Sequence, residues 1–201
     1  YMDEQHYEKL LNIKTSGEQK IFNKDHHYNR YEATSYDVLN ILCENYKFKP
    51  SDTVIDFGCG KGRFNFYLNF FSKCNTVGIE MNSFFYQQAL LNKIDYQTKH
   101  KKHFSIISFE NCLAEEYKIA SQDNIFYFFN PFSLQIFQKV LKNIIDSSQK
   151  TPRPITLILY YPDIDYINHL ENTPFSLLKE IKIEPNYHQD YRNTFLIYIM
   201  Q

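Results

Sequence analysis

Three of the chain's five glycines fall within one short run, Val54-Ile55-Asp56-Phe57-Gly58-Cys59-Gly60-Lys61-Gly62-Arg63. Residues 54–57 read as a strand, so Gly58, Cys59, Gly60 and Gly62 form the turn after it. Glycine admits positive φ and lets a ligand approach the backbone, and a purely structural turn needs one or two such residues. In an open α/β sheet this turn lies outside the carboxyl ends of the strands, where ligands bind. The spacing separates ligand classes. A dinucleotide fingerprint counted from Gly58 requires glycine at the position of Arg63, and no phosphate-cradling G-x-x-x-x-G-K run is present. Glu80 closes the next apolar run, 80 − 56 = 24 residues after Asp56. A carboxylate at that strand end can accept from both hydroxyls of a ribose, although taken alone it reads sooner as a capping or exposed Glu. Turn and acid together point to a nucleoside. Lys61 and Arg63 stand at a helix start, where the dipole disfavours cations. That departure hints at a ligand carboxylate, the plainer reading being solvated cations at little cost.

A second group of residues leaves the sheet at the same edge. Asn130-Pro131-Phe132 follows the apolar run 124–129, and Tyr160-Tyr161-Pro162-Asp163 follows the run 155–160. Proline there ends a strand, as it would at any strand end, while the polar rings can line a pocket. Arg30, Tyr31, Glu32 and Thr34 precede the first core helix and can reach the pocket from above, whereas His26 and His27 read as loop residues rather than a base or ligand.

These groups need a frame of alternating strands and helices. Strands are expected at residues 54–57, 76–80, 104–109, 124–129 and 155–160, with helices at 35–46, 63–71, 83–99 and 133–147 and a short one within 111–120. The run 124–129 is nearly all apolar, as a strand buried on both faces requires. Residues 175–183 and 195–200 leave no room for a crossover helix between them, so they form an antiparallel pair at the sheet edge. Residues 1–23 form a helix and loop that either covers the pocket or packs on the sheet. The expected division is an N-terminal helical segment, 1–50, and a core, 51–201.

With 201 residues, 43% of them hydrophobic and 22% charged, the chain can bury its own core. A net charge of −1 excludes a global field for nucleic acid or an anionic membrane. The basic run Lys99, His100, Lys101, Lys102 and His103 reads as a solvated helix end, a local basic patch being the alternative. Cys43, Cys59, Cys74 and Cys112 show no C-x-x-C or zinc spacing, so no metal site and a reduced, cytoplasmic protein are expected. No apolar run approaches the ~18 residues of a membrane span, and residues 1–9 are too charged for a signal peptide.

The run Asp56-Phe57-Gly58-Cys59-Gly60-Lys61-Gly62 resembles the D/E-x-G-x-G-x-G signature of class I S-adenosylmethionine-dependent methyltransferases, and the likeness spans roughly residues 51–201. The resemblance implies a Rossmann-like α/β fold: a mostly parallel seven-stranded sheet with an antiparallel C-terminal pair and helices on both faces. It implies that the glycine turn lies against the methionine part of S-adenosylmethionine, with Asp56 near its amino group, Glu80 on the ribose and Met81 on the adenine. Asn111 and Cys112 stand where the family has an acid after the third strand, and Asn111 is placed to meet the adenine edge. Asn130-Pro131-Phe132 is similar to the D/N-P-P-Y/F signature of methyltransferases acting on planar nitrogens, with one proline fewer. That likeness implies that Asn130 and the Pro131 carbonyl hold a target amino group while Phe132 stacks on it, with Tyr161 lining the acceptor pocket. Methyl transfer to a protein side chain, a nucleic-acid base or a small molecule, releasing S-adenosylhomocysteine, is the expected activity. The alternative is a non-catalytic domain that binds the cofactor to regulate or support a partner. In-line displacement at a sulfonium carbon asks mainly for orientation and exclusion of water, so a catalytic base is optional.

Overall fold

Alternation along the central strands sorts their side chains to two faces. On β1 (Thr53–Phe57), Val54 joins one apolar cluster, and Ile55 and Phe57 the other. On β4 (Ile125–Phe129), Ile125 and Tyr127 face the first, and Phe126 and Phe128 the second. Strands covered on both faces carry no polar side, which is why these runs read as continuous apolar segments. The computed structural model describes residues 2–17, 32–101 and 105–201.

Among the described residues seven strands pair in the order β3-β2-β1-β4-β5-β7-β6, with β2 Asn75–Ile79, β3 Ile107–Glu110, β5 Ile155–Tyr160, β6 Ser176–Lys182 and β7 Thr194–Met200. β1 to β5 run parallel, β7 is antiparallel to β5, and β6 is antiparallel to β7. The expected sheet is therefore present, with its antiparallel pair at the edge. Strand order reverses between β1 and β4, and at such a switch point the connections diverge and leave a cleft beyond the carboxyl ends.

The first face is covered by α1 (Glu4–Leu11), α2 (Tyr36–Asn45), α3 (Arg63–Phe71) and α4 (Ser83–Lys99). Ser35 caps α2 by accepting from Val38 N, and Asn82 caps α4 by accepting from Phe84 N. The second face is covered by α5 (Leu134–Lys150) and α6 (Ile164–Leu170). α5 buries Ile136, Phe137, Val140, Leu141 and Ile144, one stripe of a 3.6-residue period. Phe137 stacks on Tyr166 of α6 at 3.9 Å.

Three expectations change. α6 was not anticipated, because seven residues after Pro162 carry too short a period; its start is marked by Asp163, whose carboxylate accepts from Asp165 N. β3 begins at Ile107 rather than 104, and Phe104 lies outside the described residues. The helix within 111–120 is one 3-10 turn, Ala114–Glu116. Of the basic run, Lys99 and His100 do not simply face solvent: Lys99 Nζ donates to Lys9 O, and His100 Nε2 meets Leu10 O at 3.0 Å, so they hold the end of α1. Lys102, His103, His26, His27, Arg30 and Tyr31 lie outside the described residues.

Candidate functional site

β1 brings Asp56 to its end, in register with Tyr127 of β4 and only 4% exposed. The turn that follows is tied to β2, because Gly58 N and Cys59 N both donate to Ile79 O, at 2.9 and 3.1 Å. Gly58, Gly60 and Gly62 take φ values of 81, 54 and 88°, a region that costs an L-residue about 1–2 kcal/mol. A Cβ on Gly58 would stand 3.0 Å from Pro131 Cβ, and one on Gly62 only 2.7 Å from the Phe109 ring. All three glycines thus have a backbone reason to be there, more than the turn-counting argument allowed. Evidence for a ligand therefore rests on the acids.

Glu80 emerges from β2 with 7% exposure. Its Oε2 accepts from Gly60 N at 2.9 Å and its Oε1 from Asn82 N at 2.7 Å. Each oxygen retains acceptor capacity, which suits a pair of vicinal hydroxyls. Burial raises the Glu80 pKa, and the two N–H groups partly offset that rise. Asp56 is pushed well above the usual carboxylate range, first by burial and then by the charge of Glu80. Among the described residues no hydrogen bond reaches the Asp56 carboxylate. It lines a small cavity with Gly58, Tyr127 and Phe129, closed on its N-terminal side by Glu32 and Thr34. An unpaired buried acid of this kind is matched by a ligand ammonium, which supplies both charge and donors.

Met81 is half-buried beside Glu80. Asn111 is exposed, and its amide is spent on the protein: Nδ2 donates to Glu80 O at 2.7 Å and Met81 O at 3.1 Å, while Oδ1 accepts from Ser83 Oγ at 3.0 Å. These bonds brace the loop carrying Glu80 and Met81, at the strand end where the adenine edge was expected.

At the ends of β4 and β5, Asn130 and Tyr161 are both left-handed, with φ of 37 and 51°. Non-glycine residues in that region cost energy and concentrate where a site constrains them. Pro131 packs on Gly58, so the acceptor edge and the glycine turn touch. The expected stacking role of Phe132 fails. That residue is 2% exposed, with its ring against Phe57 and Phe128 and its carbonyl accepting from Tyr166 Oη. The ring that borders the cavity is Phe129, half-buried and 4.6 Å from Tyr160.

Arg63 also departs from expectation. It is 6% exposed at the first position of α3 and serves the N-terminal segment: Nη2 pairs with Glu4 at 2.6 Å, Nε donates to Thr15 Oγ1 at 2.7 Å, and the guanidinium lies 4.5 Å over Tyr36. Its position against the α3 dipole is thus offset by an internal carboxylate, not a ligand's. Lys61 is equally buried, and burial lowers its pKa; among the described residues nothing accepts a hydrogen bond from it. Thr34, whose hydroxyl meets Tyr127 Oη at 2.8 Å, completes the docking above the cavity. Sequence reasoning found Thr34 but missed Tyr127 and Phe129, whose only signal was their place at the end of an apolar strand.

No protein-family model matches the chain, and no curated protein matches it in sequence. Solved structures do match in fold. The RNA methyltransferase from Salinibacter ruber in complex with S-adenosyl-L-homocysteine is 16% identical over 84% of this chain and 92% of its own, with a TM-score of 0.53. The human methyltransferase 10 domain containing protein is 11% identical over 98% and 93%, with a TM-score of 0.64. An rRNA methylase from Streptococcus thermophilus is 11% identical over 81% and 92%, with a TM-score of 0.54. The chain has the Rossmann-like fold seen in class I methyltransferases.

Proposed function

We propose that this chain is an S-adenosylmethionine-dependent methyltransferase. The observation that carries the reading is Glu80: a buried carboxylate clamped by Gly60 N and Asn82 N at the end of β2, beside the unpaired Asp56 on β1, the strand that borders the strand-order switch. The donor set fits the cofactor. Glu80 would take the ribose hydroxyls, Asp56 the amino group and Lys61 the carboxylate, while Gly58 and Cys59 line the path and Met81 packs on the base. When bound, S-adenosylmethionine supplies an activated methyl group on a sulfonium. The residues beyond it supply orientation: Asn130 presents an amide at a constrained φ, Pro131 seats that residue on the glycine turn, and Tyr161 flanks it.

The acceptor is finer detail. Asn130 suits a nitrogen nucleophile, because its carbonyl can accept an N–H and align the lone pair. Burial of Phe132 removes the stacking ring of the planar-nitrogen pattern, which favours a target other than a nucleobase amino group. The same burial is the one observation on the side of a non-catalytic, cofactor-binding domain. Four free thiols and, among the described residues, no helix able to cross a membrane accord with a cytoplasmic protein.

Transfer of label from methyl-labelled S-adenosylmethionine into fractionated cell extract tests turnover. Asn130→Gly keeps the left-handed backbone and removes only the amide. It should lower kcat about 10²-fold or more, in line with loss of a positioning group, with cofactor affinity within twofold of the parent. Absence of transfer by the parent chain, with cofactor binding intact, would establish the non-catalytic reading.

A further inference from the structure

We propose that the groove between the end of β5, α6 and the β6–β7 connection recognises an acceptor bearing an alkylammonium group on an apolar stem, an inference that rests on the methyltransferase reading above. The topology puts the groove in place. β6 runs antiparallel to β7 and β7 antiparallel to β5, so the connection between β6 and β7 returns at the edge where Asn130 and Tyr161 leave the sheet. Tyr161 Oη donates to Asp190 Oδ2 at 2.5 Å, and Arg192 Nη2 donates to the same oxygen at 2.8 Å while its guanidinium lies 4.5 Å over the Tyr161 ring. This latch fixes the connection to the end of β5 and uses up the one cation among the described residues of the groove lining. Arg192, and after it Tyr161, holds the Asp190 carboxyl well below the usual carboxylate range.

The groove encloses about 390 Å³, within the roughly 300–1,000 Å³ of small-molecule sites. Ile167 and Leu196 give it an apolar floor, and Ile164, Tyr187 and Tyr191 stand at its rim, Tyr191 being 71% exposed. Tyr187 already carries the Lys182 ammonium 4.5 Å from its ring centre, the geometry an ammonium ligand would repeat on Tyr191. Asp163, Glu180 and Asp190 carry −3 and Arg192 carries +1, leaving −2 among the described lining residues. A phosphate would enter that field with Arg192 held by Asp190 and only the Lys182 ammonium on Tyr187 beside the rim to meet it, although several of the structurally similar proteins are named as RNA methyltransferases. An ammonium meets Glu180 and Asp163, and its stem meets the floor.

Calorimetry with hexylammonium, 1-hexanol, hexanoate and a short single-stranded oligoadenylate separates these cases, since the first three share one apolar body. Hexylammonium should bind at least about tenfold tighter than hexanoate, with hexanol between them. In an Asp163→Asn/Glu180→Gln variant the preference should vanish, while the cap of α6 is kept by Asn. Hexanoate or oligoadenylate binding as tightly as hexylammonium would overturn the proposal, as would a preference that survives in the variant. S-adenosylmethionine titrated into the same samples keeps the two failures apart. Cofactor binding without ammonium selectivity overturns the groove assignment alone, and absent cofactor binding overturns the methyltransferase reading and the acceptor role with it.

Discussion

The two ends of the cleft are built on different principles. At the β1–β2 end the groups that hold shape are backbone atoms within five residues of each other or on the adjacent strand, joined by one buried carboxylate: Gly58 N and Cys59 N on Ile79 O, Gly62 N on Cys59 O, and Gly60 N on Glu80 Oε2. At the β5–β7 end they are side chains far apart in sequence, Tyr161 with Asp190 and Arg192, and they face solvent. The first arrangement tolerates almost no substitution, since φ and packing are fixed together. The second can change residues without touching the core, which suits a region whose task is to choose an acceptor.

The largest test of that contrast is Gly62→Ala. A Cβ there meets the Phe109 ring at 2.7 Å with φ at 88°, and the left-handed strain of about 1–2 kcal/mol adds to overpacking of about 1–3 kcal/mol. Urea unfolding should show a loss of roughly 2–5 kcal/mol, whereas Arg192→Ala at the other end should leave the midpoint unchanged. Equal losses at both ends would break the comparison.

Glu80→Ala comes next. It should weaken S-adenosylmethionine binding by about 30-fold or more, the equivalent of ~2 kcal/mol in charge-assisted hydrogen bonds, with Glu80→Gln intermediate because one amide oxygen still accepts. Glu180→Ala, at the acceptor end, should leave that affinity as it was. Calorimetry on the three variants reads the difference, and an unaffected Glu80→Ala would remove Glu80 from the binding site.

The same contrast explains what could be read from sequence. The alternation of strands and helices, the antiparallel edge pair and the place of Asp56 and Glu80 at adjacent strand ends follow from local runs, because strand periodicity and a glycine turn are encoded within a few residues. Arg63 was legible as an anomaly, a cation on the wrong end of a helix, but its partner Glu4 lies 59 residues upstream and no local rule connects them. Phe132 resembles a stacking ring in sequence and sits in the core in space, because the chain bends at Asn130 and turns it toward Phe57 and Phe128. Asn111 was placed correctly at the edge, yet the carbonyls of Glu80 and Met81 claim its amide first.

The smallest expected effect concerns protons. Burial raises the pKa of both Asp56 and Glu80 in the folded chain without ligand. Between the unfolded value of about 4 and the raised folded values, the native state therefore holds more protons than the unfolded one, and stability declines as pH rises through that window. A ligand ammonium beside Asp56 reverses the shift, since an opposite charge favours the ionised carboxylate. Within that window, binding of S-adenosylmethionine should thus release protons, and the observed enthalpy should vary linearly with the ionisation enthalpy of the buffer. Asp56→Asn should flatten that dependence, while Asp190→Asn, whose carboxyl is already held ionised by Arg192, should not alter it. Binding enthalpies that are identical across that window in two buffers of different ionisation enthalpy would mean that Asp56 does not meet the ligand's charge, and that the buried acids serve the fold alone.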